Sequence, residues 1–243
     1  MGKYYWDPAT GSVSDWTFAA GTNNWRFEIV GGVLEIQPNS NAIWGVWLLD
    51  AVNESTNHVE AYMDAGLSAS AGGRGFQGYV TTDMELDSAR FFGGITNQLR
   101  ISVSRGAVAS FGASITEFAP DTDSATRKRY RALTNGEAAK IKAWLPQDEE
   151  PVLWGADGSS ENNVVSGKQG IGGRLNTNQI LYVHGFGVGT DGDPAPTGPV
   201  DVSAEPFLLR HNPRTNKVIP VLSSPTVTDI GANCVRPRVT KGF

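Results

Sequence analysis

Apolar and polar residues alternate along much of the chain. Trp25-Arg-Phe27-Glu-Ile29 does so, and Val33-Leu-Glu-Ile36 follows after Gly31-Gly32, the pattern of two strands joined by a two-residue hairpin turn. Ile43-Trp-Gly-Val-Trp-Leu-Leu49 is apolar at nearly every position, which predicts a strand covered on both faces. Residues 59–63, 75–80, 98–104, 108–111, 170–172 and 180–188 read as further short strands between Gly and Asn clusters. Residues 137–145 set propensity against pattern. Their Ala, Glu and Lys content favours helix, yet Ala139, Ile141, Ala143 and Leu145 alternate with Lys140, Lys142 and Trp144. Asn135-Gly136 and Pro146 bracket the segment, and a strand is predicted. About twelve strands with Gly/Pro turns imply an all-β sandwich or jelly roll.

Composition narrows the class. The 243 residues are 40% hydrophobic and 19% charged, ordinary for a globular chain and far from disorder. Its 29 glycines and 13 prolines fit many turns and few long helices. No apolar run approaches the roughly 18 residues of a spanning helix, so membrane insertion is not expected. Met-Gly-Lys-Tyr-Tyr-Trp is no secretory leader, and synthesis and release in a cytosol are expected. The single Cys234 can form neither an internal disulfide nor a multi-thiolate metal site.

Charge divides the chain. Residues 1–204 carry 14 basic and 23 acidic side chains, a balance of −9, whereas residues 205–243 carry six basic and two acidic, a balance of +4. Residues 190–199 hold three prolines and two glycines and read as a connector. About 45 residues is too few for a second core. The organisation expected is a sandwich over 1–197 and, over 198–243, a connector with an extended arm that docks on an acidic surface of its own or of a neighbour. Arg210, Arg214, Ile219, Val221, Val227, Ile230, Val235, Arg236 and Arg238 are its candidate assembly residues.

The search for catalytic chemistry returns little. Gly187-Val-Gly-Thr-Asp-Gly192 has dinucleotide-loop spacing, but Asp193-Pro-Ala-Pro cannot open the helix that such a site needs. Asp83, Glu85 and Asp87 would share one strand face, with Glu60 and Asp64 a weaker version. A solvated acidic edge is the better reading of the triplet. No Gly-x-Ser-x-Gly elbow is present, and His58, His184 and His211 are scattered. No cofactor is expected. Asp121/Asp123 and Asp191/Asp193 are oxygen-rich loops, with Asp191 and Asp193 the candidate calcium ligands, but turn formation explains them better. Arg127-Lys-Arg-x-Arg131 sits in an acidic body, so nucleic acid is not an expected partner; a solvated strand end or an intersubunit contact is. Of seven tryptophans, Trp25, Trp44 and Trp47 are expected in the core. Trp6, Trp16 and Trp154 are the candidate exposed platforms for stacking a sugar ring.

The run Tyr130-Arg-Ala-Leu-Thr-Asn-Gly136, Ala139-Lys-Ile-Lys-Ala-Trp144, Glu150-Pro and Trp154, followed by Gly170-Ile-Gly172 and a closing strand at 180–188, resembles the concanavalin A-like, laminin G-like jelly roll. The resemblance is good over about 130–190 and extends by strand count to 15–190. It implies a lectin-type fold, in which a rim calcium sometimes occurs. The Glu-x-Asp-x-x-Glu pattern of jelly-roll glycosidases is absent, so the protein is expected not to be an enzyme. The remainder, with Pro220-Val-Leu-Ser-Ser-Pro225 and Arg236-Pro-Arg238, is similar to small virion proteins of tailed bacteriophages. That likeness implies a tail, baseplate or capsid-decoration component of the virion, made in the host cytoplasm. Such a protein would be homo-oligomeric, contact other virion proteins and bind bacterial surface polysaccharide. A free-standing lectin or carbohydrate-binding module is the alternative, and a glycoside hydrolase the third reading.

Overall fold

The computed structural model describes residues 2–40, 43–52, 58–69, 75–82, 88–95, 98–105, 111–115, 125–135, 138–154, 156–159, 167–199, 208–212 and 217–221. The strands there are β1 (Lys3–Trp6), β2 (Trp16–Gly21), β3 (Trp25–Val30), β4 (Val33–Pro38), β5 (Ile43–Leu49), β6 (His58–Leu67), β7 (Gly75–Thr82), β8 (Ser88–Ile95), β9 (Gln98–Arg105), β10 (Phe111–Ile115), β11 (Lys128–Asn135), β12 (Ala138–Trp144), β13 (Ala156–Ser159), β14 (Lys168–Leu175), β15 (Leu181–Thr190), β16 (Leu208–Asn212) and β17 (Lys217–Val221). One short 3-10 turn, Val13–Asp15, is capped by Ser12. No described helix is long and apolar enough to cross a membrane.

Two antiparallel sheets form the sandwich. The larger runs β13-β12-β11-β6-β15-β4-β3, with β1 also on β15; the other runs β10-β9-β8-β7-β14-β5-β2. Alternation decides what meets between them. Val59, Ala61, Met63, Ala65 and Leu67 of β6 face inward with Tyr130, Ala132, Ile141, Val183 and Phe186, against Trp47, Leu49, Phe76 and Ile171 of the second sheet. Phe76 and Tyr130 meet edge to face at 5.6 Å. The chain divides into two compact units, Met1–Val200 and Asp201–Phe243. Within the second, β16 and β17 pair as a hairpin.

Local chemistry explains several elements. Gly31 and Gly32 have φ of 58° and 79°, the pair of positive values that a type I′ turn needs, and they close the β3–β4 hairpin as expected. Residues 138–144 are a strand, so pattern overrode propensity. Val46, Trp47, Leu48 and Leu49 are all buried, as the apolar run of β5 predicts.

The tryptophans depart from expectation. Trp6 and Trp16 are buried, at 1% and 6% exposure. They pack edge to face at 5.1 Å, and Trp16 meets Phe186 at 5.6 Å. Asp15, a polar neighbour of Trp16 in sequence, accepts a hydrogen bond from Trp6 Nε1 at 2.9 Å, so it satisfies a buried indole. Trp44 is the reverse case, 37% exposed. It stands three residues before the inward Trp47, and an odd offset along a strand changes face.

Candidate functional site

The outer face of the larger sheet carries a dense network of charges. On β6, Glu60, Tyr62 and Asp64 alternate with the core residues, and in register beside them lie Arg129 and Arg131 of β11, then Lys142 and Trp144 of β12. Asp64 is held in a fork by Arg127, Nε to Oδ1 at 2.7 Å and a terminal nitrogen to Oδ2 at 2.9 Å. Arg129 approaches the same carboxylate at 3.5 Å. Arg131 pairs with Glu60 and donates to Glu150 at 2.8 Å, and Lys142 Nζ lies 2.7 Å from Glu150. Three arginines of the basic cluster 127–131 are therefore paired within the chain, although Arg127 and Arg129 keep 43% and 33% of their side chains in solvent. Their partners are carboxylates of the same sheet and of the following loop.

Two backbone segments close over this network. Residues 193–196 cross the sheet where Gly187 and Gly189 stand, and a Cβ at either position would run into the Pro196 or Asp193 carbonyl. Gly187 and Gly189 thus make room for a crossing chain, and Gly185 for the Tyr5 ring. The Ala195 N–H donates to Glu60 at 3.0 Å, and its carbonyl accepts from Arg131 at 2.8 Å. On the other side, Lys142 donates to the Pro151 carbonyl at 2.8 Å and lies 4.8 Å from the Trp154 ring centre. Trp154 is half-buried, so of the expected platforms it alone reaches solvent, with one face occupied by Lys142. Val152 and Leu153 beside it are 92% and 74% exposed.

Arg127 is held firmly protonated by its hydrogen bond to Asp64, and burial pushes the Tyr62 hydroxyl well above the usual phenol range. His184 is pushed below the ordinary imidazole value, first by burial and then by Arg127, with Asp64 opposing. Glu60 and Asp64 are four residues apart on one strand, about 13 Å. That exceeds the 5–5.5 Å or 6.5–9.5 Å separations of glycosidase pairs, and each is held by arginine.

The end of the sandwich where β2 meets β3, β4 meets β5 and β14 meets β15 has different chemistry. Its loops read Gly21-Thr-Asn-Asn24, Pro38-Asn-Ser40 and Leu175-Asn-Thr-Asn-Gln-Ile180, with no charged residue. They are tied together. Thr22 N–H donates to the Trp44 carbonyl at 2.9 Å and Asn39 N–H to the Asn24 carbonyl at 3.0 Å. Asn24 Nδ2 lies 3.5 Å from Ser40 Oγ, and Gln37 Nε2 donates to the Thr177 carbonyl at 2.7 Å. Buried Gln179 accepts the Asn176 N–H at 3.0 Å. Exposed Trp44, near the start of β5, holds the first loop through its carbonyl and has the exposed Arg174 as its register partner.

The remaining expected residues are not brought into one site. Asp191 adopts the left-handed conformation, φ 55°, in the turn after β15, and Asp193 lies 4.0 Å from Lys3. No group of three metal-ligating side chains occurs among the described residues. Arg210 and Ile219 oppose each other in the β16–β17 hairpin, where Val221 opposes Leu208. Arg214, Val227, Ile230, Cys234, Val235, Arg236 and Arg238 lie outside the described residues, as do Asp83, Glu85, Asp87, Asp121 and Asp123.

No protein-family model matches the chain, and no curated protein sequence matches it. Its sandwich is similar to several solved structures, lectins among them. The exoplasmic domain of VIP36 in a Ca2+/Man3GlcNAc-bound form is 12% identical and covers 75% of this chain and 86% of its own, at TM-score 0.53. Lectin I-B4 from Griffonia simplicifolia in its metal-free form is 12% identical and covers 79% and 100%, at 0.53. A structure reported with endo-acting O-glycanases of the human gut microbiota is 10% identical and covers 77% and 98%, at 0.54. The fold is thus the all-β jelly-roll sandwich of concanavalin A-like and legume lectins.

Proposed function

We propose that the sandwich is a carbohydrate-binding module that holds glycans without cleaving them. The observation that carries this is the likeness of the body to lectin sandwiches, one of them solved with a mannose-containing glycan. The charged face supports binding over hydrolysis. Glu60 and Asp64 are separated along β6 and each is engaged by arginine, so these two do not stand as an acid–base pair. The test is incubation of the full chain with immobilised and soluble polysaccharides, reading retention and reducing ends. Retention without release is expected. Release of reducing ends overturns the non-catalytic part, and no retention overturns the proposal.

A second reading, a tailed-phage virion component with an assembly arm, is supported by the division of the chain after Val200 and by the opposite charge of its two parts. Removal of residues 201–243 tests it. A folded body that no longer assembles into particles is the expected outcome, and unaltered assembly contradicts it.

A further inference from the structure

We infer that the glycan seat is the amide-lined end of the sandwich around Trp44, and that its ligand is a neutral hexose or N-acetylhexosamine chain. The inference rests on the carbohydrate-binding reading and assigns it a place. A pyranose offers two surfaces to a protein: a C–H face that packs on a flat ring, and hydroxyls that both donate and accept. Trp44 supplies the first. Among the residues whose burial is described, it is the aromatic with more than a third of its surface in solvent.

The second surface is supplied by Asn23, Asn24, Asn39 and Asn178, all exposed, with Thr22, Ser40 and Thr177 between them. An asparagine amide carries two donors and an acceptor and matches a hydroxyl pair whichever way it points. These loops contain no carboxylate or cation, and the charge beside the ring is the exposed Arg174, the direct register partner of Trp44. The cross-links of the three loops, and buried Gln179 within the third, hold the loop backbones in place before the ligand arrives. That lowers the ordering entropy of binding.

The charged face is the rival location, and its chemistry argues against it. Arg131 already contacts Glu60, Glu150 and the Ala195 carbonyl, and Asp64 already holds Arg127. A ligand there must replace protein contacts, whereas at Trp44 it meets exposed groups.

The test begins with the full chain on an array of neutral and acidic glycans, followed by titration calorimetry with the best neutral oligosaccharide. Trp44→Ala is expected to weaken binding at least about tenfold, and Asn23→Ala with Asn178→Ala several-fold. Trp154→Ala should stay within about twofold. Thermal melting confirms that each variant folds, and the asparagine pair, exposed on loops, tests the seat independently of Trp44. Retention of affinity in both Trp44→Ala and the asparagine variant, loss in Trp154→Ala, or an array that answers only to acidic glycans would overturn the inference while leaving carbohydrate binding intact. A wild-type chain that binds no glycan removes both.

Discussion

Two regions of one sandwich handle polarity in opposite ways. The outer face of the larger sheet holds Glu60, Asp64, Arg127, Arg129, Arg131, Lys142 and Glu150, and its ions are matched within the chain and roofed by residues 193–196 and 150–154. The loop end around Trp44 holds no charge in its three loops and leaves an indole and several amides in water. The charged face draws the eye in the sequence, yet its capacity is spent on folding. Capacity left unspent marks the second region as the place for a ligand.

The sharpest way to break this comparison is to unmatch the charged face. Glu60→Met leaves Arg131, 8% exposed, without its buried partner and the Ala195 N–H without its acceptor. A loss of about 3–5 kcal/mol is expected in urea unfolding. Glu60→Met with Arg131→Met should recover most of it, because an apolar pair needs no matching. A double variant no better than the single one shows that packing, not charge, dominates there.

The tryptophans offer the next contrast. Trp6→Ala opens the core beneath β1 and should cost about 3–5 kcal/mol, while Trp44→Ala should change stability by no more than about 0.5 kcal/mol. Chemical unfolding of both distinguishes a core indole from a surface one. Gly187→Ala comes third. Its new methyl meets the Pro196 carbonyl, and a loss of about 1–3 kcal/mol with faster proteolysis near residue 195 is expected.

The smallest effect concerns His184. Folding lowers its pKa from the ordinary 6.5, so on acidification the unfolded chain binds the proton before the folded one. Stability is unaffected above that range and falls as pH drops through it. His184→Gln should flatten the fall between about pH 7 and 5, read as melting temperature against pH.

Much of the fold was legible because alternation reports directly on a half-buried sheet. The β3–β4 hairpin, β6, β12 and β15 follow from it, β5 follows from its continuous apolar run, and Gly31-Gly32 names its own turn. β1, β2 and β8 were missed: in β1, Lys3-Tyr-Tyr-Trp6 has aromatic residues at three successive positions, and alternation does not register such a run. β13, four residues long, was too short for the same reason. The ion pairs were illegible for another reason. Asp64 and Arg127 are 63 residues apart, and only the β6–β11 pairing brings them together. Trp6 and Trp16 misled because Asp15 reads equally as a sign of solvent or as an indole's partner. The seat was legible only in fragments, since each Asn-rich loop alone is an ordinary turn and its meaning comes from three of them converging on Trp44.

The central claim is that the amide end receives the ligand and the charged face does not. The most direct measurement is a titration of isotope-labelled full chain with a neutral oligosaccharide, following side-chain Asn Nδ2 and Arg Nε resonances together. The account predicts saturable shifts at Asn23, Asn24, Asn39 and Asn178 and at the Trp44 indole, with Arg127 and Arg131 unmoved. Shifts confined to Arg127, Arg131 and the Trp154 indole would contradict it.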